Sequence, residues 1–469
     1  MSEGPRAPRR GERSVFRSMR ERNFRIWFLG ALISNVGLWI QATTLDWLVL
    51  TVFTERDAVA LGITMAFQFA PGLLLMPLTG WISDILPRRS IMQVTQSLMA
   101  LLTVVMAILI LAGVAELGIV LCYALVFGVV NAFENPARQS IVTDLVDRAR
   151  RANAVALKSL SYNTARLVGP AIAGVLLVVI DSSWLLVIAA ATNLVMVGAL
   201  AAIRLAPAAR RRREARQRLT GGLRFVWRRK DLLVVTVIMA FVSALGFNFP
   251  IMLATMTLEL GGSAGGYGLL SSLLGVGSMI GAMLAARRER ARLGVIVAGA
   301  TGFAAASLVA AAMPGYPGFA LSMLPLGAAA ITMLTTANGY VQTTSGDSVR
   351  GRVMAVYMAV LLTATPIGAP LVGTIVQQLG SRAALLTGAA AAAIGALIGL
   401  LWLIVVWRWR PTMPALRAVR ARRPRAAEAE ELAAHVGITS PLREPDVVAL
   451  PTHEAEPRAE EPGGHRAAR

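Results

Sequence analysis

Twelve apolar stretches, separated by short polar or basic segments, constrain this 469-residue chain more than any motif within it. They cover residues 26–53, 60–84, 90–113, 117–136, 153–180, 184–204, 231–257, 267–286, 293–313, 318–343, 353–379 and 383–407. A run of about 20 apolar residues crosses the hydrocarbon core of a bilayer as a helix, because a helix satisfies its own backbone polar groups where water is absent. The chain therefore reads as an all-α polytopic membrane protein with 12 transmembrane helices. Its composition leaves little room for anything else. Charged residues make up 15%, against about 25% in ordinary soluble domains, so too little polar surface exists to cover a globule in water. The leader before Ile26 holds eight arginines and runs into a full-length span, unlike a cleavable signal peptide, whose apolar region is shorter.

A net charge of +20 raises the question of nucleic-acid binding. The arginines, however, fall in short runs between the apolar stretches, at Arg88 and Arg89, Arg148 to Arg151, Arg210 to Arg213 and Arg287 to Arg292. No aromatics interleave with them to stack on bases. Alternate loops carry 31 basic residues on one side and only Arg56 and Arg382 on the other. By the positive-inside rule both termini are expected on the cytoplasmic side of the membrane. The bilayer is thus an expected partner and nucleic acid is not. The longest internal loop divides six spans from six, which gives a basic leader at 1–25, a first half at 26–204, a cytoplasmic linker at 205–230, a second half at 231–410 and a disordered tail at 411–469.

The residue inventory also excludes much chemistry. Cys122 is the single cysteine, and His435, His453 and His465 all lie in the last 35 residues. The apolar body therefore offers no Ser-His-Asp triad, no Cys-His pair and no metal site, and neither an enzyme nor a cofactor is expected. No Gly-x-x-x-x-Gly-Lys-Ser/Thr occurs, so ATP is not an expected partner, and Gly261-Gly262-Ser263-Ala264-Gly265-Gly266 reads as a hairpin between spans 7 and 8.

The two halves repeat. At an offset of 199 residues, Arg151 meets Arg350, Val155 meets Met354, Gly169 meets Gly368 and Gly174 meets Gly373. After a four-residue length difference, Asn135 meets Asn338 and Gln139 meets Gln342. Internal duplication of this kind suits an alternating-access transporter, whose similar halves rock around a site near the midplane.

The segment Gly80-Trp-Ile-Ser-Asp84-Ile-Leu-Pro-Arg88-Arg89 lies between spans 2 and 3. Through Gly80, Asp84, Arg88 and Arg89 it resembles the loop signature of the major facilitator superfamily, while Ile85 and Pro87 depart from it. The corresponding loop between spans 8 and 9 keeps Gly281 but has Ala285 where an acid would stand. The resemblance implies a fold of two pseudo-symmetric six-helix halves. It also implies a cytoplasmic gate in which Gly80 allows close helix approach and Asp84 pairs near the first turn of span 11. Arg166-Leu-Val-Gly169-Pro170-Ala-Ile-Ala-Gly174 resembles the Gly-Pro motif of antiporter members, which bends span 5 and packs it on span 8. Together with Asn135-Pro136-Ala137-Arg138 and Ala152-Asn153-Ala154, it is similar to the bacterial secretion, enterobactin-exporter-like subgroup. The implied function is proton-coupled efflux of a drug, siderophore or secondary metabolite by a monomer. Import by the same fold, a scramblase, and a non-transporting receptor or scaffold are the alternatives.

Charges within spans are costly and mark functional candidates. Asp46, in span 1 behind Trp39, Gln41, Thr43 and Thr44, is the expected proton carrier; its alternative role is a solvated acid at the outer rim. Arg166, at the middle of span 5, reads either as a fixed cation acting on an anionic substrate or a coupling acid, or as half of a structural ion pair. Glu134 reads first as a local pair with Arg138, or as a partner for Arg88 or Arg89, and second as a coupling group. Cavity candidates are Asn35, Gln41, Asn131, Phe247, Asn248, Phe249 and Asn338; each asparagine or glutamine alone is more often an interhelical hydrogen bond than a ligand contact.

Overall fold

In a computed structural model, residues 16–203, 219–288, 291–346 and 349–405 are described. The first part of the leader, most of the linker and the whole 411–469 tail lie outside them, and the expectations made for those segments with them. The chain order is α1 (Arg22–Thr51), α2 (Ala58–Leu74), α3 (Met76–Ile85), α4 (Arg88–Leu111), α5 (Leu117–Ser140), α6 (Arg151–Val179), α7 (Ser182–Ala202), α8 (Leu219–Arg228), α9 (Lys230–Leu245), α10 (Phe249–Glu259), α11 (Ala264–Ala286), α12 (Leu293–Ala312), α13 (Tyr316–Thr344), α14 (Arg350–Leu379) and α15 (Ser381–Val405). Counting α9 and α10 as one, eleven are long and apolar enough to cross a membrane, and the pair α2–α3 makes up to twelve.

Two spans are interrupted, each for a local reason. A 56° bend separates α2 from α3; Pro71 lies inside α2 and a second proline starts α3, so amide donors are missing on both sides of the junction. In span 7 the helix stops at Leu245 and restarts at Phe249, with Pro250 in the first turn of α10. The side chain of Asn248 turns back and donates to the Ala244 carbonyl at 2.6 Å, satisfying an acceptor the broken helix has released.

The packing of the first six spans recurs in the last six. Helix α1 packs on α6 and α7 as α9 packs on α14 and α15. Helix α4 packs on α5 and α7 as α12 packs on α13 and α15, and α2 packs on α5 as α11 packs on α13. Between the groups, α2 lies against α14 and α6 against α11, the exchange that a two-fold relation requires. Glycines make both seams. A Cβ on Gly174 would stand 2.9 Å from the Ala264 carbonyl oxygen and from Gly268 Cα, and one on Gly373 would stand 3.0 Å from Val59 Cα. Their neighbours in the repeat obey the same symmetry, since Gly169 backs onto Trp39 of α1 and Gly368 onto Ala244 of α9. Small residues let backbones meet where lipid supplies no hydrophobic drive.

The ends of the helices differ. At the arginine-rich end, contacts stay within one group: Glu21 pairs with Arg150, Ser18 N donates to Asn153 Oδ1 at 2.9 Å, and Arg88 pairs with Asp144 at 2.7 Å. In the second group Arg229 pairs with Asp231 at 2.8 Å, and Tyr340 donates to the same carboxylate at 3.1 Å. The glycine seams lie toward the opposite end, where Ala58 N also donates to Gln377 Oε1 at 3.1 Å. Near the basic end, Val155 and Tyr162 of α6 are exposed. The groups thus meet at the end away from the arginines. Helix α8 leads into the second group at the basic end, with Val226 buried, α14 against it, and Leu223, Arg224, Trp227 and Arg228 exposed, the pattern of a helix lying in the membrane interface.

Gly174→Val and Gly373→Val are each expected to force a seam apart and cost about 1–3 kcal/mol through overpacking. Gly80→Ala, whose added carbon meets no atom within 4 Å, is expected to leave stability unchanged. Unfolding of the purified protein by SDS titration checks all three, and a seam substitution as stable as the parent would remove the argument for backbone contact.

Candidate functional site

Helix α1 organises the interior of the first group. Trp39 and Asp46 are seven residues apart on it, hence about 10.5 Å along the axis and on one face. Asp46 is 8% exposed, and its Oδ2 accepts a hydrogen bond from the Tyr267 hydroxyl of α11 at 3.1 Å. Trp47 stacks on the same tyrosine, with ring centroids 6.0 Å apart and planes 18° apart. Asp46 is therefore buried, and the solvated-rim alternative does not describe it. The bond runs between the two groups, on the half of α1 that faces the closed end.

Two turns away, Arg166 of α6 lies over the Trp39 ring, its guanidinium carbon 5.8 Å from the centroid. Trp39 also meets Tyr162 edge-on at 6.1 Å. Arg166 is half-buried and has no ion pair among the described residues, which removes the structural-pair alternative in this conformation. Below it Gly169 permits the close approach of α6 to α1, while Pro170 and Gly174 abut Gly268 of α11. The Gly169-Pro170-Gly174 motif thus sits where α6 touches both α1 and α11.

Glu134 belongs to a separate polar cluster inside the first group. It is 2% exposed, and its Oε1 accepts from Gln96 Nε2 at 2.6 Å and from Arg138 Nε at 2.7 Å. Arg138 continues to Asn35 Oδ1, and Asn35 Nδ2 donates to Ser161 Oγ at 3.3 Å. The local pair four residues apart is formed, and Arg88 takes Asp144 and the Ser140 carbonyl instead of Glu134. Asn35 ties α1 to α5 and α6 within this network.

The other candidates disperse. Phe247 and Phe249 stack at 5.8 Å and both meet Phe303 of α12 edge-on, so they form an aromatic cluster inside the second group. Asn248 is fully buried behind them. Gln41 is buried in α1, whereas Asn131 on α5 and Asn338 on α13 are half-buried. In the gate motif, Arg89 donates to the Ala201 carbonyl at 3.1 Å, Asp84 is exposed with no ion pair among the described residues, and Gly80 has open space around it. The close approach expected at Gly80 and the expected pairing of Asp84 near α14 are not made here, because the groups are apart at that end. The glycine-rich hairpin is shorter than its sequence implies: α11 starts at Ala264, so Gly265 and Gly266 lie in its first turn. Tyr267 already begins the eighth apolar stretch in the sequence, but an uncharged residue at the end of a span gives no sign of the partner it meets on another helix.

Arg138→Met is expected to strand the Glu134 carboxylate in the interior and cost about 3 kcal/mol. The pair Arg138→Met with Glu134→Gln should recover most of it, as read by SDS unfolding of the single and double variants.

Comparisons with known proteins agree with this architecture. A family model described as transmembrane secretion effector, of the major facilitator type, matches residues 13–424. The staphyloferrin A transporter of Staphylococcus aureus is 35% identical over 154 residues, a match spanning 33% of this chain and 38% of that protein. A bacterial homolog to the human lysosomal transporter Spinster, in an inward-facing and unoccupied conformation, superposes with a TM-score of 0.66 at 16% identity, over 84% of this chain and 100% of that one. The D-xylose–proton symporter gives 0.66 at 15% identity over 82% and 97%, and the nucleoside transporter NupG 0.64 at 14% over 83% and 100%. At such identities the likeness is one of fold.

Proposed function

Because the chain belongs to the transmembrane secretion effector family of major facilitator transporters, we propose that it exports small amphipathic molecules, siderophores among them, in exchange for protons. The halves 26–204 and 231–410 rock about an interior site, the basic end faces the cytoplasm of a bacterial inner membrane, and the unit is a monomer that uses no ATP. In this reading the structure described above is the inward-open state, with Asp84 and the Gly80 notch free at the parted end.

The observation that carries the reading is the Asp46–Tyr267 contact. It joins the first group to the second on the closed side, and its strength depends on the charge of Asp46. A carboxylate accepts a hydrogen bond about twice as strongly as a neutral group. Adding a proton to Asp46 therefore weakens the bond between the groups, and removing it restores the bond. Proton binding is in this way linked to which end is held shut, as exchange transport requires. The siderophore assignment rests on the partial match to the staphyloferrin A transporter. Export over import rests on the Gly169-Pro170-Gly174 motif.

Asp46→Asn is expected to abolish uphill, gradient-driven accumulation in inverted vesicles while equilibrium binding persists. Tyr267→Phe should lower the accumulation several-fold and shift its pH dependence. Unchanged uphill transport in Asp46→Asn would take Asp46 out of the mechanism. A lack of gradient-dependent accumulation across a broad compound panel would end the exporter reading, and accumulation in the opposite direction would replace it with import.

A further inference from the structure

The interior charges do not balance. Glu134 is occupied by Arg138, and Asp46 by the hydroxyl of Tyr267. Arg166 has an aromatic face against it and no carboxylate within ion-pair distance among the described residues. A guanidinium at the middle of a span is too expensive to leave without a counter-charge unless something else delivers one.

The surroundings of Arg166 show where that charge enters. Ser159, Tyr162, Asn163 and Arg166 follow one another at i, i+3, i+4 and i+7, and so form one stripe of α6. The first three are exposed, and Tyr162 is 44% so. Another strip of the helix, Leu160, Val168 and Val175, is equally exposed but wholly apolar. In a bilayer the apolar strip is the one that meets lipid, which leaves the polar stripe to a wet passage opening at the basic end. Lys158, half-buried on the next face, lies about 12 Å nearer that mouth. The Arg166 guanidinium carbon lies over the Trp39 ring, and a guanidinium engaged by a ring still has N–H donors for a forked pair with an oxyanion.

We propose that Arg166 and Trp39 form the recognition site for the transported molecule's anionic group, a carboxylate or a similar planar oxyanion carried on an aromatic or apolar body. This deepens the exporter reading and rests on it for the word transported. Trp39 and Tyr162 take the apolar body, the guanidinium edge takes the charge, and Lys158 draws the anion inward. Thr365, the residue that the internal repeat sets opposite Arg166 at the 199 offset, is uncharged, so the site belongs to the first half alone.

The test is equilibrium binding of 2-naphthoate and its neutral isostere 2-naphthamide to the full chain in phosphatidylcholine nanodiscs, with empty discs subtracted. The acid is expected to bind at least about tenfold more tightly than the amide, the discrimination a charged hydrogen-bond pair provides. Arg166→Gln should erase the preference, Arg166→Lys should keep part of it, and Trp39→Leu should weaken both ligands. Should Arg166→Gln fail to fold, Asn163→Asp carries the test, because it sets an exposed carboxylate one turn from Arg166. It is expected to weaken the acid about tenfold and leave the amide unchanged. Equal affinity for the two ligands, binding of neither, or a preference unmoved by these substitutions would overturn the proposal. Since the measurement needs no gradient, charge-selective binding without proton-driven accumulation would keep this site and end the exporter reading. The converse pair of results would do the opposite.

Discussion

Everything in this fold depends on two places where backbone meets backbone across the midline. Inside a bilayer helices gain nothing by hiding apolar surface from one another, so association has to come from fit and from polar bonds. Gly174 against Gly268, and Gly373 against Ala58 and Val59, supply the fit. Both seams lie toward the same end, which is why the six-helix groups are joined there and separate at the other. The Asp46–Tyr267 bond stands beside this joint and adds a polar tie between the two groups.

Much of this was legible in the residues alone. The twelve apolar runs coincide with the spans because hydrocarbon thickness and helical rise leave few other solutions. The 199-residue repeat was legible too, and its glycines now have a common reason: 169 and 368 back onto spans 1 and 7, while 174 and 373 back onto spans 8 and 2. The site was legible only in part. A charge inside a span announces itself, so Asp46 and Arg166 could be named. Tyr267 could not, because it is uncharged and its partner Asp46 lies 221 residues away in sequence, so only tertiary packing brings the two together. The asparagines were ambiguous for a similar reason. Asn35 and Asn248 bond to Ser161 and to the Ala244 carbonyl, and neither partner can be deduced from the pattern of the helix that carries it.

The charges sort into two kinds by their company. Glu134, Gln96, Arg138, Asn35 and Ser161 close on one another and hold α1, α4, α5 and α6 in register. Such a network is hard to open without cost, so it behaves as scaffold. Asp46 and Arg166 are bound more lightly, one by a hydroxyl and the other by a ring. Groups held in this way have fewer bonds to break before they take another partner, which is why the proposed proton and ligand roles are given to them.

The empty notch at Gly80 has a consequence for how such a machine is tuned. A position that touches nothing here, and that the family resemblance implies is closely approached when the mouth shuts, would sense only the second of the two arrangements. An extra methyl there would act as a wedge: it would tilt the balance between the arrangements while leaving every ligand-bearing atom untouched. Conformational preference can thus drift through a single small residue far from the chemistry.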